Sequence, residues 1–209
     1  MTAQMPDASM NSIPSPAPAG ADSLHRLAQR FSVGPKYLEA PGPTMAQWQC
    51  AAGLAERAPD HGGLQPFRFV VIDDDQRAVL SELFAQGARD RGQEPEEIDR
   101  ARSRAYNGPG LAALVARIRD DVPDVPVNEQ WMCVGAALMN FLNALHLMGF
   151  GAKSLSGLSV TDRAVASAFC GVGEQLSCWI VAGHASRRAH PRHDPRAQAL
   201  LGSWRQAQG

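Results

Sequence analysis

The stretch EQWMCVGAALMNFLNALHLMGFG, Glu129 to Gly151, carries the longest helical pattern of the chain. Trp131, Met132, Val134, Ala137, Leu138, Phe141, Leu142, Leu145 and Leu147 fall around nearly its whole circumference. A helix apolar on every side is buried on every side. In a chain of 209 residues that predicts burial against a second subunit as well as the core. The plainer alternative is the central core helix of a monomer. Gly149-Phe150-Gly151 stops the helix, as glycine commonly does just past a last turn.

Strands and helices interleave on both sides of it. On the N-terminal side, Asp22 and Ser23 can cap a short helix from Leu24 to Gln29. Thr44 is a plausible N-cap for a second helix, Met45 to Arg57. Phe67 to Ile72 is a β-branched and aromatic run that predicts a strand. Asp73 to Asp75 open a helix carrying Val79, Leu80 and Leu83, and Glu94 to Arg104 is a charged, exposed helix. Leu111 to Ile118 is a second strand. After the long helix come an extended segment, Ala152 to Leu155, a helix over Asp162 to Phe169 capped by Thr161, and a third strand, Leu176 to Ala182. No G-x-G-x-x-G follows a strand, so a dinucleotide-binding fold is not supported. The expected class is α+β, a central sheet surrounded by helices.

Composition narrows the function. Twenty Lys and Arg against 21 Asp and Glu argue against a nucleic-acid binder built on a broad basic surface. No apolar run reaches the roughly 18–20 residues that span a bilayer, so no membrane role is expected. Cys50, Cys133, Cys170 and Cys178 form no C-x-x-C pair and no zinc spacing, which favours a reduced, cytoplasmic protein without metal. Residues 1–21, Pro/Ala/Ser-rich and without the pattern of a signal peptide, are expected to be a disordered tail ahead of one domain, 22–209. His190-Pro191-Arg192-His193-Asp194 is better read as a solvated tail than as a metal site.

Three places could carry chemistry. Arg57-Ala58-Pro59-Asp60-His61-Gly62-Gly63-Leu64-Gln65-Pro66 joins a helix end to a strand and could set Arg57 and His61 against a ligand. It could equally be an ordinary turn in which Asp60 bonds local backbone amides. Arg30-Phe31-Ser32 ends the first helix; an Arg suits bidentate phosphate recognition and a Ser hydroxyl can complete the cradle. Gly151-Ala152-Lys153-Ser154-Leu155-Ser156-Gly157 is small enough for backbone amides to approach a planar ligand, or is a flexible loop. No G-x-S-x-G elbow supports a serine nucleophile.

Together these segments resemble the nitroreductase family, in particular its short, single-domain subgroup. The likeness runs from about Leu24 to Trp204. Its most specific part is Ala58-Pro59-Asp60-His61 followed by Gln65-Pro66-Phe67-Arg68-Phe69. Arg30-Phe31-Ser32 falls where the family has an Arg-Arg-Ser phosphate clamp, and Glu129-Gln130 opens a helix similar to the family's dimer helix. The resemblance implies an α+β sandwich with a central mixed sheet, in an intertwined homodimer with FMN at the subunit interface. It implies that Arg30, Phe31 and Ser32 line the FMN phosphate and ribityl chain. Arg57 would lie on the same subunit's side of the site and His61 would come from the partner. Ser154, Leu155 and Ser156 would wrap the cofactor.

The implied activity is flavin-based oxidoreduction. NAD(P)H reduces FMN, and a nitroaromatic, quinone or related acceptor is reduced in turn by a ping-pong mechanism, with no catalytic side chain required. Two departures weaken the implied site. Phe31 stands where an Arg is usual, and Ser154-Leu155-Ser156 stands where the subgroup often has Trp-Arg-Ser. One lost charge-assisted hydrogen bond is worth about 1.5–3 kcal/mol. The alternatives are a flavin or ligand-binding protein without redox activity, and a specialised member with an adapted site.

Overall fold

The computed structural model describes residues 19–187 and 200–204. The tail readings at residues 1–18 and His190 to Asp194 lie outside the described residues. The helices are α1 (Ala19–Ala28), α2 (Met45–Ala55), α3 (Arg77–Asp90), α4 (Pro95–Ser103), α5 (Val127–Leu147) and α6 (Arg163–Phe169). The strands are β1 (Leu38–Glu39), β2 (Phe67–Val71), β3 (Gly110–Arg117), β4 (Gly151–Leu155) and β5 (Glu174–Ala185).

Local chemistry sets several of these limits. Thr44 caps α2 in a full capping box: its hydroxyl accepts from the Gln47 amide, and the Gln47 side chain accepts from the Thr44 amide at 2.8 Å. α5 ends in a Schellman turn. Gly149 takes φ 93°, its amide bonds the His146 carbonyl, and the Phe150 amide reaches back to Leu145 at 2.9 Å. α6 begins one residue later than the sequence implies, with Asp162 rather than Thr161 at its cap.

β5 is the spine of the sheet. It pairs with β3 on one edge and with β4 and β1 on the other, and β2 closes the far side of β3. Every pairing between these strands is antiparallel. Among the described residues the parallel component of the expected mixed sheet is an isolated bridge, Ser32 to Ala152. β1 and the pairing of β4 go beyond the three clear strands in the sequence.

The period-2 alternation of the strands divides the core in two. Ala112, Leu114, Ala116, Cys178, Ile180 and Ala182 face α2 and α5. Leu111, Ala113, Val115, Leu176, Trp179 and Val181 face α3, α4 and α6. On the first face Phe141 of α5 stacks on Phe69 and Trp48, with ring centroids 4.1 and 5.7 Å away. α5 is not covered all round by its own chain. Val127, Trp131, Met132 and Met139 are exposed on its outer side, Met132 most of all at 69 %. A helix lying on one face of a sheet is covered on that side and by its lateral neighbours only, so an all-round apolar helix leaves an apolar stripe outward.

Candidate functional site

On the α3/α4/α6 face the sheet is not fully covered. A cavity of about 430 Å³ opens there, within the range of small-molecule sites. Leu111 of β3 and Trp179 and Val181 of β5 make its floor, and Phe84 of α3 one wall. Arg104 and Asn107, between α4 and β3, stand on one side. Leu155 to Ser159, running out of β4, form the other.

The floor is rigid. Trp179 meets the rings of Phe84 and Phe169 edge-on, with centroids 5.2 Å away in both cases, and its indole N–H donates to the Ser159 hydroxyl at 3.0 Å. That bond ties the 3-10 turn Leu158–Val160 to the floor. Gly157 takes φ 147° and ψ −167°, a region essentially confined to glycine. A Cβ placed there would meet nothing within 4 Å, so the cavity wall is bare at that residue. The next turn is fastened outward, where Asp162 pairs with Arg91, just past α3.

The Arg104 side is held by a buried arginine. Arg77, at the start of α3, donates to the carbonyls of Ala105 at 2.8 Å and Pro109 at 3.1 Å, which fixes the loop carrying Arg104 and Asn107. Burial lowers the Arg77 pKa from its ordinary value, partly offset by Asp74. Arg104 and Asn107 were missed in the sequence. Arg104 closes a charged, exposed helix there, and only the fold shows that this end turns toward the floor.

One of the three sequence segments lines this cavity, and a second bridges to the strand that carries it. Ser32 bridges to Ala152 of β4, and the Val33 amide donates to the Ala152 carbonyl at 3.2 Å. Arg30-Phe31-Ser32 therefore runs alongside the strand that leads into Ser154-Leu155-Ser156. Register decides which of these side chains face the cavity. Leu155 lies opposite Trp179 and Ser154 opposite Ile180, so Leu155 shares the cavity face and Ser154 the other. Leu155 and Ser156 line the cavity. Phe31 is half-buried and packs into the same core as Leu155, so it acts here as an apolar prop. Ser32 is exposed and Arg30 partly so.

The third segment lies elsewhere. Arg57 is exposed just beyond α2, and His61 is exposed in the turn that follows. α2 packs on α5 across the opposite face of the sheet. Asp60 accepts the amides of Leu64 at 3.1 Å and Gln65 at 2.7 Å, the local bonding that an ordinary turn would show. The His61 ring bonds Glu129 of α5 through Nδ1 at 2.8 Å. Neither Arg57 nor His61 lines the cavity of its own chain.

The cysteines offer no activated thiol in the core. Burial raises the pKa of Cys133 and Cys170, and pushes Cys178 up to about 11. Among the described residues no group of His, Cys, Asp or Glu is placed to hold a metal ion, and no helix is long and apolar enough to cross a membrane.

Comparison with known proteins agrees with this architecture. Residues 27–184 match the model of the nitroreductase family. YdjA of Escherichia coli strain K12, by name an NAD(P)H nitroreductase, is 35 % identical over 148 residues, covering 71 % of this chain and 79 % of YdjA. The nitroreductase-like family protein from Bacillus cereus shares the fold with a TM-score of 0.72 at 14 % identity, over 94 % of this chain and 99 % of that one. A Desulfovibrio desulfuricans nitroreductase-like protein, solved in complex with FMN, superposes with a TM-score of 0.63 at 21 % identity. That match covers 88 % of this chain and 98 % of the other.

Proposed function

The chain belongs to the nitroreductase family, and from that premise we propose that it is an FMN-dependent oxidoreductase, active as a homodimer, that uses NAD(P)H to reduce a small acceptor. The observation that carries this reading is a cavity with an apolar floor, lined by Leu155 and Ser156 at the end of the strand to which Ser32 bridges at Ala152. The Desulfovibrio desulfuricans neighbour, solved with FMN, supports the choice of cofactor.

The residues present fit a flavin. Leu111, Trp179 and Val181 offer an apolar bed for a planar ring, and the bare wall at Gly157 admits close approach. Arg104 is the charged group of the lining, and a cation beside a flavin ring stabilises negative charge that develops on it. Arg30 and Ser32 hold the phosphate. The loss of an Arg at position 31 leaves Arg30 as the cation of that triplet. When bound, FMN supplies two-electron chemistry, oxidising NAD(P)H and then reducing a nitroaromatic or quinone in a ping-pong cycle. The chain's part is to bind, orient and keep water from the ring face.

The homodimer rests on two observations. The stripe Val127, Trp131, Met132 and Met139 leaves an apolar face of α5 open, of the kind that marks interfaces. Arg57 and His61 lie on the α2/α5 face, away from the cavity of their own chain. His61 then serves the flavin of the second copy; Arg57, expected on its own subunit's side of the flavin, does not line the cavity of its own chain.

The test is an anaerobic absorbance spectrum of protein incubated with FMN and passed through gel filtration, before and after adding NADH or NADPH. Retained flavin that bleaches supports the reading and identifies the donor. Retained flavin that does not bleach favours a binding protein. Absence of flavin would contradict the proposal.

A further inference from the structure

We propose that Glu129 is a positioning residue for His61, holding its ring so that Nε2 is the nitrogen presented outward from the turn. This rests on the reading that His61 serves a flavin site. A carboxylate accepts hydrogen bonds and does not donate them, so the 2.8 Å contact between Nδ1 and Glu129 Oε2 requires a proton on Nδ1. In the neutral ring that selects the Nδ1–H tautomer and leaves Nε2 as an acceptor; in the imidazolium Nε2 is a donor. Either way Nε2 is the atom available to a ligand.

The surroundings make the contact a fixed one. Glu129 sits in the first turn of α5, next to Gln130, whose buried side chain receives the Arg119 amide at 2.8 Å and donates to the carbonyls of Arg119 and Val125 at 2.7 and 3.1 Å. Arg119 and Val125, the ends of the loop before α5, are thereby tied to the helix start. Val125 in turn backs the His61 turn: a Cβ on Gly62 would stand 3.0 Å from its Cγ2. Asp60 pins the other side through Leu64 and Gln65, and Gln65 takes φ 46°. The backbone of the turn is set by these contacts, and Glu129 sets the ring.

The experiment is a long-range ¹H–¹⁵N spectrum of the histidine rings in the full chain, at a pH where the ring is neutral, with His61 assigned from a His61→Asn variant. Wild type shows the Nδ1–H tautomer, Glu129→Ala shifts it toward Nε2–H, and Glu129→Gln restores Nδ1–H through its amide oxygen. FMN titration of the same proteins shows a loss of about two- to tenfold for Glu129→Ala, with most of it recovered in Glu129→Gln. Both side chains are about half exposed, so the variants keep the fold. An Nε2–H tautomer in wild type, or no change in Glu129→Ala, overturns the proposal. Weakened FMN binding in His61→Ala with full affinity in Glu129→Ala overturns it and leaves the functional reading intact. Unchanged affinity in both variants overturns the reading of His61 as well.

Discussion

On the α2/α5 face of the sheet, Phe141 stacks on Trp48 and Phe69, and small strand residues such as Ala112 and Ala116 let α5 lie close. On the α3/α4/α6 face, Phe84 and Phe169 brace Trp179 from its edges while the rest of the floor stays open to a cavity. The first face is filled by the chain but leaves an apolar stripe on its outer side. The second leaves its gap inside. On the proposed reading, one face is completed from outside, by another copy, and the other from inside, by a ligand. The sheet between them carries both, because alternate residues of β5 belong to different faces.

That comparison can be broken at four points. Phe141→Ala removes the ring shared by the aromatic stack and should cost about 3–5 kcal/mol, seen as a large fall in the urea midpoint. A loss under about 1 kcal/mol would mean that this face is not close-packed. Met132→Glu with Met139→Glu places two charges on the outer stripe of α5, and leaving such charges unpaired in an interface costs several kcal/mol. Sedimentation should show a monomer of unchanged helicity; a persistent dimer would move the interface elsewhere. Arg104→Ala touches only the cavity side. It should change the stability read from urea unfolding by less than about 0.5 kcal/mol while weakening FMN roughly ten- to a hundredfold, as expected for one charge-assisted contact. A stability change without an affinity change would make Arg104 structural.

The smallest effect concerns a group outside both faces. Glu174 receives Arg68 at 2.6 and 2.9 Å, the Gly171 amide at 2.8 Å and Arg117 at 3.0 Å. The Arg68 hydrogen bonds, then that from Gly171, pull its pKa down from 4.5 to about 2. A depressed carboxylate pKa contributes stability that is fully present above the unfolded value and is lost as pH falls through the folded one. Wild type should therefore lose stability between about pH 4.5 and 2. Glu174→Gln should lose less over that window, measured by urea midpoints at a series of pH values. Equal slopes would remove Glu174 from the acid response.

Much of the fold was legible because its signals are local. The all-round apolar run predicted α5, Thr44 predicted the cap of α2, and extended apolar runs predicted β2, β3 and β5. The α2 end, expected at Arg57, came at Ala55. The site was legible only in part. Residue types picked out Arg30, Ser32 and the segment at the end of β4, but Ser154 and Leu155 were equivalent until the pairing with Ile180 and Trp179 set their faces. A one-residue change of register would exchange them. Phe31, expected beside the phosphate, is half-buried and packs against the core. Arg104 and Trp179 had no local signature at all, since their relevance comes from a cavity built by elements far apart in the chain.

The most direct test of the central claim is sedimentation velocity of the FMN-loaded protein, followed at a flavin wavelength. The account predicts that the flavin absorbance moves as one boundary at twice the 22.4 kDa chain mass. Flavin sedimenting with a single chain, or remaining at the mass of free FMN, would contradict it.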